Sequence, residues 1–335
     1  MTSRLLSGFA IAAGCVAVLL AAAPARAQFS LGEQRAGTSS ATFLKIGIGA
    51  RAVGLGESFV AVANDPSAIF WNPAGLASLQ RQELALNHAS WPGDINFEHI
   101  AYVQPVRKLG GSVGFQVGAL STEIDETTEL HPFGTGRSFI YSDFLAGIAY
   151  ARRWTDKLLV GAGVKYVRED LGQDVGGPTT NAVLVDIGSI YYLGYGSVRI
   201  ATSLSNFGPA LKPSGQFTSA ETGEVRDYDA FDPPLLFRYG VAFEPIENAR
   251  QRLTTSLEFN QPADNSLILK AGAEWVIGKA LALRSGYNFG ADDLNFSAGL
   301  GLNTTIGSTH AEIDYAYTHA EFLDAVHRLT LGLRF

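Results

Sequence analysis

From about residue 82 to the C-terminus the chain repeats one pattern. Stretches of about ten residues alternate apolar and polar side chains, and turn residues separate them. Successive side chains of a strand point to opposite faces, so each stretch reads as a strand with one apolar and one polar surface. The clearest is 294–303, where Leu294, Phe296, Ala298, Leu300 and Leu302 oppose Asn295, Ser297, Gly299, Gly301 and Asn303. Fourteen such segments are readable: 82–91, 97–107, 111–121, 139–153, 157–168, 181–193, 197–206, 234–243, 251–261, 267–277, 280–289, 294–305, 308–318 and 327–335. The long connections, 122–138, 169–180, 207–233 and 319–326, all follow odd-numbered segments. An even strand number, with long loops on one side and tight turns on the other, is the pattern of a transmembrane barrel. A β-sandwich has no reason to sort its loops this way. The expectation is an all-β fold, a transmembrane antiparallel β-barrel of about 14 strands over residues 82–335.

Composition narrows the alternatives. Hydrophobic residues make up 47% of the 335 and charged residues 17%, against about 25% charged in ordinary soluble chains. Such a chain is not intrinsically disordered. A formal net charge of −7 with no basic run argues against nucleic acid as a partner, and one Cys builds no disulfide framework. Residues 1–27 read as a secretory signal peptide. Arg4 is followed by an apolar stretch from Leu5 to Ala23 and by Ala25-Arg26-Ala27, an A-x-A cleavage site. The predicted location is the outer membrane of a Gram-negative-type bacterium after cleavage.

In a barrel the apolar face meets lipid and the polar face a wet lumen. That assigns Leu300 to lipid and Ser297 to the lumen. The candidate lumen charges are Arg252, Glu258, Lys270, Glu274, Arg284, His310, Glu312 and Asp314. Leu329, Leu331, Leu333 and the terminal Phe335 resemble the strand signal that barrel assembly machinery reads. The expected partners are therefore outer-membrane lipid and that machinery.

Catalytic and cofactor motifs do not hold up. Gly47-Ile48-Gly49-Ala50-Arg51-Ala52 matches G-x-G-x-x-A but lacks the βαβ unit of a dinucleotide site. Gly110-Gly111-Ser112-Val113-Gly114 matches G-x-S-x-G, yet an alternating strand follows where a nucleophile elbow needs a helix. His310, Glu312 and Asp314 share a strand face and could be a metal set. Charged side chains lining a lumen more often form ion pairs, here with Arg252, Arg284, Lys270 or Arg328. The reading is no enzyme, no cofactor and no metal.

Residues 37–79 do not alternate; they run Gly-rich, then Ala-rich, into Trp71-Asn72-Pro73-Ala74-Gly75-Leu76-Ala77. Pro73 forces Asn72 out of the α region and starts a turn, and the Asn side chain can bond nearby backbone. The stretch from Phe43 to Ala77 resembles the PorV/PorQ family of outer-membrane barrels, as does His327 to Phe335. More remotely it resembles the FadL-like long-chain fatty-acid transporters, whose N-terminal hatch carries the same box. Leu55 stands for a usual Met and Asn64-Asp65 for a usual acidic pair. The resemblance implies that residues 28–81 form a hatch in the lumen, marked by Asn72, Pro73, Ala74 and Gly75. It also implies a role in type IX-like protein secretion or surface attachment, with exported client proteins as partners. The alternative is uptake of a hydrophobic ligand across the outer membrane.

Overall fold

The computed structural model describes residues 35–335 except 129, 220, 221, 292, 323 and 324. The signal sequence and cleavage site expected at 1–27 lie outside the described residues. Fourteen strands close into one antiparallel ring among the described residues. In chain order they are β1 (Glu83–Trp91), β2 (Ile95–Val106), β3 (Gly111–Asp125), β4 (Ser138–Arg153), β5 (Leu158–Asp170), β6 (Thr179–Tyr192) and β7 (Arg199–Phe207). A small hairpin, β8 (Gln216–Thr218) and β9 (Val225–Asp227), follows outside the ring. The ring resumes with β10 (Leu236–Glu247), β11 (Gln251–Pro262), β12 (Ile268–Ile277), β13 (Leu281–Phe289), β14 (Phe296–Ile306), β15 (Thr309–Thr318) and β16 (Val326–Arg334). Each ring strand pairs with its chain neighbour, β7 with β10, and β1 closes on β16 with Glu83 opposite Arg334.

The outer surface is the apolar face of the alternation. Leu300 and Leu302 are 52% and 59% exposed, while Ser297 is 1% exposed on the inner side. Leu294 departs from the expectation. It has φ +57° in the turn ahead of β14, whose alternation starts at Phe296.

The inside differs from a wet lumen. Residues 39–79 run through the ring as a plug, containing the short helices α1 (Ala50–Gly54) and α2 (Ala68–Trp71) and a 3-10 turn, Pro73–Ser78. Ala41, Phe43, Leu44, Phe59, Ile69, Trp71 and Leu76 of the plug are buried in one apolar cluster. Phe97, Leu120, Leu145, Leu159, Val167 and Leu184 of the wall join it. The reason lies in the inward positions of β2–β6. Many are apolar or glycine, so that wall presents a surface which water cannot satisfy and the plug covers.

Candidate functional site

The plug rests on two unlike walls. Toward β3–β6 the contact is mainly shape, with one carboxylate, Glu169 of β5, accepting the Ala41 amide at 2.7 Å. An ideal Cβ on Gly188 of β6 would lie 2.0 Å from Asn72 Oδ1, and one on Gly161 of β5 would lie 2.4 Å from the Pro73 carbonyl carbon. Only glycine admits the box this close to the wall. Asn72 is fully buried. Its Nδ2 donates to the carbonyls of Val60 (3.0 Å) and Ser189 (3.2 Å), and its Oδ1 accepts from the Ala74 amide (3.1 Å). One side chain thus caps the 3-10 turn, ties it to the rest of the plug and fixes it to β6. Pro73 occupies the first turn position, where its missing N–H costs nothing. Ala74 and Gly75 are buried behind it. Gly75 also allows close approach: a Cβ there would lie 2.2 Å from the Ala63 carbonyl oxygen.

Toward β11–β16 glycines again admit the plug backbone, with Gly272 of β12 and Gly286 of β13 against Leu55 and Gly56, and charge is added. Arg51 of α1 grips Glu274 of β12 with two parallel hydrogen bonds, Nε to Oε2 at 2.8 Å and Nη2 to Oε1 at 2.9 Å. Its Nη1 donates to Asn64 and Asp65 of the plug. Bidentate guanidinium–carboxylate pairs are among the stronger polar contacts. Burial works against the charged Arg51, but Glu274 first and then Asp65 outweigh it and hold its pKa well above the ordinary value. Glu274 also accepts from Arg284 Nε at 2.7 Å, and Arg284 bonds Asp314 and Glu312 in turn. Lys270 of β12 donates to Glu57 of the plug at 2.7 Å. Burial would raise the Glu57 carboxyl, yet Lys270, then Arg328 and Arg238, pull it below the usual carboxylate range. Glu258 of β11 accepts the amides of Phe59 (2.9 Å) and Val60 (2.8 Å).

Of the eight candidate lumen charges, the structure joins Glu274, Arg284, Glu312 and Asp314 in one network. Arg252 stands at its edge, 3.7 Å from Glu274. Glu258 and Lys270 bind the plug directly. His310 stays apart, bonded to Thr305 at the rim rather than grouped with Glu312 and Asp314. Arg328, an anticipated ion-pair partner, donates instead to the Gly47 carbonyl and to Thr318, and lies over the Trp91 ring. Sequence reasoning misses Arg51 and Glu57. Both lie in a glycine-rich stretch, where two charges in an apolar segment are the available signal. Leu329, Leu331 and Leu333 alternate along β16 with the buried Arg328 and Thr330, on its outer side. The Phe335 amide donates to the Gln82 carbonyl at 3.0 Å, where the ring closes.

Below the plug, at the tight-turn end, a cavity of about 720 Å³ opens between Arg51, Asp65, Glu83, Arg252, Glu274 and Glu312. A smaller one of about 190 Å³ adjoins it at Arg199 and Glu244. The plug therefore fills the lumen against both walls, and a polar cavity remains at the short-turn end.

Comparison with solved structures finds the same architecture. The Ralstonia pickettii toluene transporter TbuX superposes with a TM-score of 0.57 at 14% identity, covering 86% of this chain and 98% of that one. A Pseudomonas aeruginosa FadL homologue gives 0.55 at 11% identity, over 87% and 98%. The monoaromatic hydrocarbon channel CymD gives 0.55 at 12% identity, over 86% and 96%. This chain shares the fold of these barrels. In sequence, the model of an uncharacterised protein family, UPF0164, matches residues 15–165. A UPF0164 protein of Treponema pallidum (strain Nichols) is 41% identical over 71 residues, which span 21% of this chain and 16% of that protein. These structures agree with the FadL-like resemblance in fold alone. The PorV/PorQ resemblance rests on Phe43–Ala77 and the C-terminal end alone.

Proposed function

We propose that the protein is a non-enzymatic outer-membrane barrel that admits hydrophobic small molecules, with residues 28–81 as its hatch and 82–335 as its conduit. The observation that carries this reading is the apolar cluster between the plug and the β2–β6 wall. A channel for ions or sugars keeps a wet, charged lumen, whereas here Phe43, Phe59, Phe70 and Trp71 pack against Phe97, Leu145 and Leu184. An apolar solute displacing part of that packing would exchange one apolar surface for another. The hollow, charged end below the plug would then release it toward water. The fold shared with a toluene transporter and a monoaromatic hydrocarbon channel agrees with this class of substrate.

The signal sequence at 1–27 would deliver the chain for export, and Leu329, Leu331, Leu333 and Phe335 would present it to the assembly machinery. The test is uptake of labelled toluene by cells lacking other hydrophobic-uptake barrels. Expression of this chain should accelerate entry severalfold, and uptake equal to that of cells without it would refute the proposal. The secretion reading predicts a different phenotype: loss of the protein strands surface proteins in the periplasm and leaves uptake unchanged.

A further inference from the structure

Two neighbouring tight turns carry an unbalanced set of cations. Arg107 and Lys108 lie between β2 and β3, and Arg152, Arg153 and Lys157 flank the turn between β4 and β5. β3 pairs with β4, so the turns stand side by side, with Gly111 opposite Arg152 and the Tyr150 hydroxyl donating to the Leu109 carbonyl at 2.6 Å. All five cations are exposed, and none forms an ion pair among the described residues. Arg153 and Lys157 reach only backbone carbonyls, those of Asp156 (3.1 Å) and Leu193 (3.4 Å). Asp156 is the one acid in these turns, although the chain as a whole has a formal net charge of −7. Elsewhere on this rim the β10–β11 and β12–β13 turns hold one cation each, Arg250 and Lys279, and the β14–β15 turn holds none. Apolar side chains stand among the five charges: Leu109 is 55% and Trp154 63% exposed. The Arg152 guanidinium lies over the Trp154 ring, 5.1 Å from its centroid. Arg152 belongs to the outer face, since Ala149 and Ala151 of β4 are buried inside and Ile148, Tyr150 and Arg152 alternate with them. Toward the turn, that face passes from apolar to amphipathic to cationic, the order in which a bilayer passes from tails to headgroups.

We propose that this patch holds the phosphate headgroups of anionic phospholipid in the leaflet at the tight-turn side, with Arg152 and Trp154 at its centre. The inference is independent of any solute the barrel admits. Guanidinium groups pair with phosphate by charge-assisted hydrogen bonds, and anionic lipid attracts basic side chains at a membrane surface. The apolar neighbours select lipid over a dissolved anion, because Leu109 and Trp154 gain nothing from a free phosphate and are buried by a leaflet. Arg152 selects lipid over a soluble acidic protein. It projects from the lipid-facing surface of β4, so its counter-charge comes from within the leaflet rather than from the water below the turns. A zwitterionic headgroup brings its own cation and leaves the excess of five charges over one acid uncompensated.

The experiment uses the mature protein from outer membranes, reconstituted into phosphatidylcholine vesicles that contain a fixed fraction of brominated lipid, which quenches tryptophan fluorescence. The brominated lipid is phosphatidylglycerol in one series and phosphatidylcholine in the other. The Trp154 signal is the difference between wild type and W154F. Brominated phosphatidylglycerol should quench it severalfold more effectively than brominated phosphatidylcholine, and raised salt should shrink that preference. In K108Q/R152Q/R153Q the two lipids should quench Trp154 alike. Folding is checked in each variant by the heat-modifiable electrophoretic shift. If the triple variant does not fold, R152Q alone should fold and show a severalfold smaller preference. Equal quenching of wild type by the two lipids overturns the inference, whether a soluble acidic protein or a free anion then meets the patch. A preference that survives K108Q/R152Q/R153Q or R152Q undiminished overturns it too, because the charge of the membrane surface alone would then account for it.

Discussion

The two walls that hold the plug achieve the same end by different chemistry. Both walls have glycine sockets, Gly161 and Gly188 on one side and Gly272 and Gly286 on the other. The β3–β6 wall adds mainly apolar side chains, and the β11–β16 wall adds Glu258, Lys270, Glu274 and the Arg284 cluster. The difference explains the sequence pattern itself. Where the inner face is polar, alternation is clean, as in 251–262 and 309–318. Where the plug covers an apolar inner face, as along β5 with Leu159, Val167 and Gly161, alternation is blurred. The inner face reports what touches it.

The contrast can be broken first on the apolar side. Leu76 is fully buried against β3, where Gly114 makes room for it. Leu76→Ala should cost about 2–5 kcal/mol, read as a lower denaturant midpoint in vesicles, and raising salt should not change the loss. On the charged side, Glu274→Gln leaves Arg51 and Arg284 short of their shared carboxylate. Removing one partner of a dry pair costs about 3–5 kcal/mol. The adjoining cavity lets water reach the guanidiniums, so about 2–3 kcal/mol is expected here. The same denaturation series should show this loss shrinking as salt rises. No salt dependence would mean that charge does not hold this wall.

Asn72→Ala tests the joint between the two regions. It removes the cap on Ala74 and the bonds to Val60 and Ser189, for about 1–2 kcal/mol. Faster cleavage of the plug by added protease should report it before global unfolding does. The smallest effect concerns Glu57. Its folded pKa is depressed, so its stabilisation is present above the unfolded value near about 4.3 and is lost as pH falls through the folded value. Glu57→Gln should therefore flatten the acid limb of a stability–pH curve. Unfolding that steepens equally at low pH in both proteins would remove Glu57 from the account.

Strand positions were legible because period-2 alternation is local. The ring strands start and end within a few residues of the segments read from sequence. The β8–β9 hairpin was not, since three exposed residues per strand bury no face and leave no pattern. The plug's sockets were invisible for another reason. Gly161 and Gly188 look like ordinary strand glycines until register sets them opposite Pro73 and Asn72. Arg51 was hidden by its surroundings, a glycine motif judged on phosphate chemistry. The charged network was partly legible, since four of its acids and bases fell on inward positions of β12, β13 and β15. Which of them pair is a three-dimensional fact, and His310 shows that sharing a strand face does not suffice.

The path of the plug carries one more consequence. Its start is bound beside the long loops, where the Ser40 amide donates to the Asp232 carbonyl, and its end enters β1 at the tight-turn side. The segment therefore passes lengthwise through a ring whose last seam, β1 against β16, joins the two ends of the sheet. A closed ring with glycine sockets on its inside cannot be loaded from the edge. That segment is reachable only along the barrel axis or before the β1–β16 seam has closed, so the seam and the plug are coupled parts of one structure.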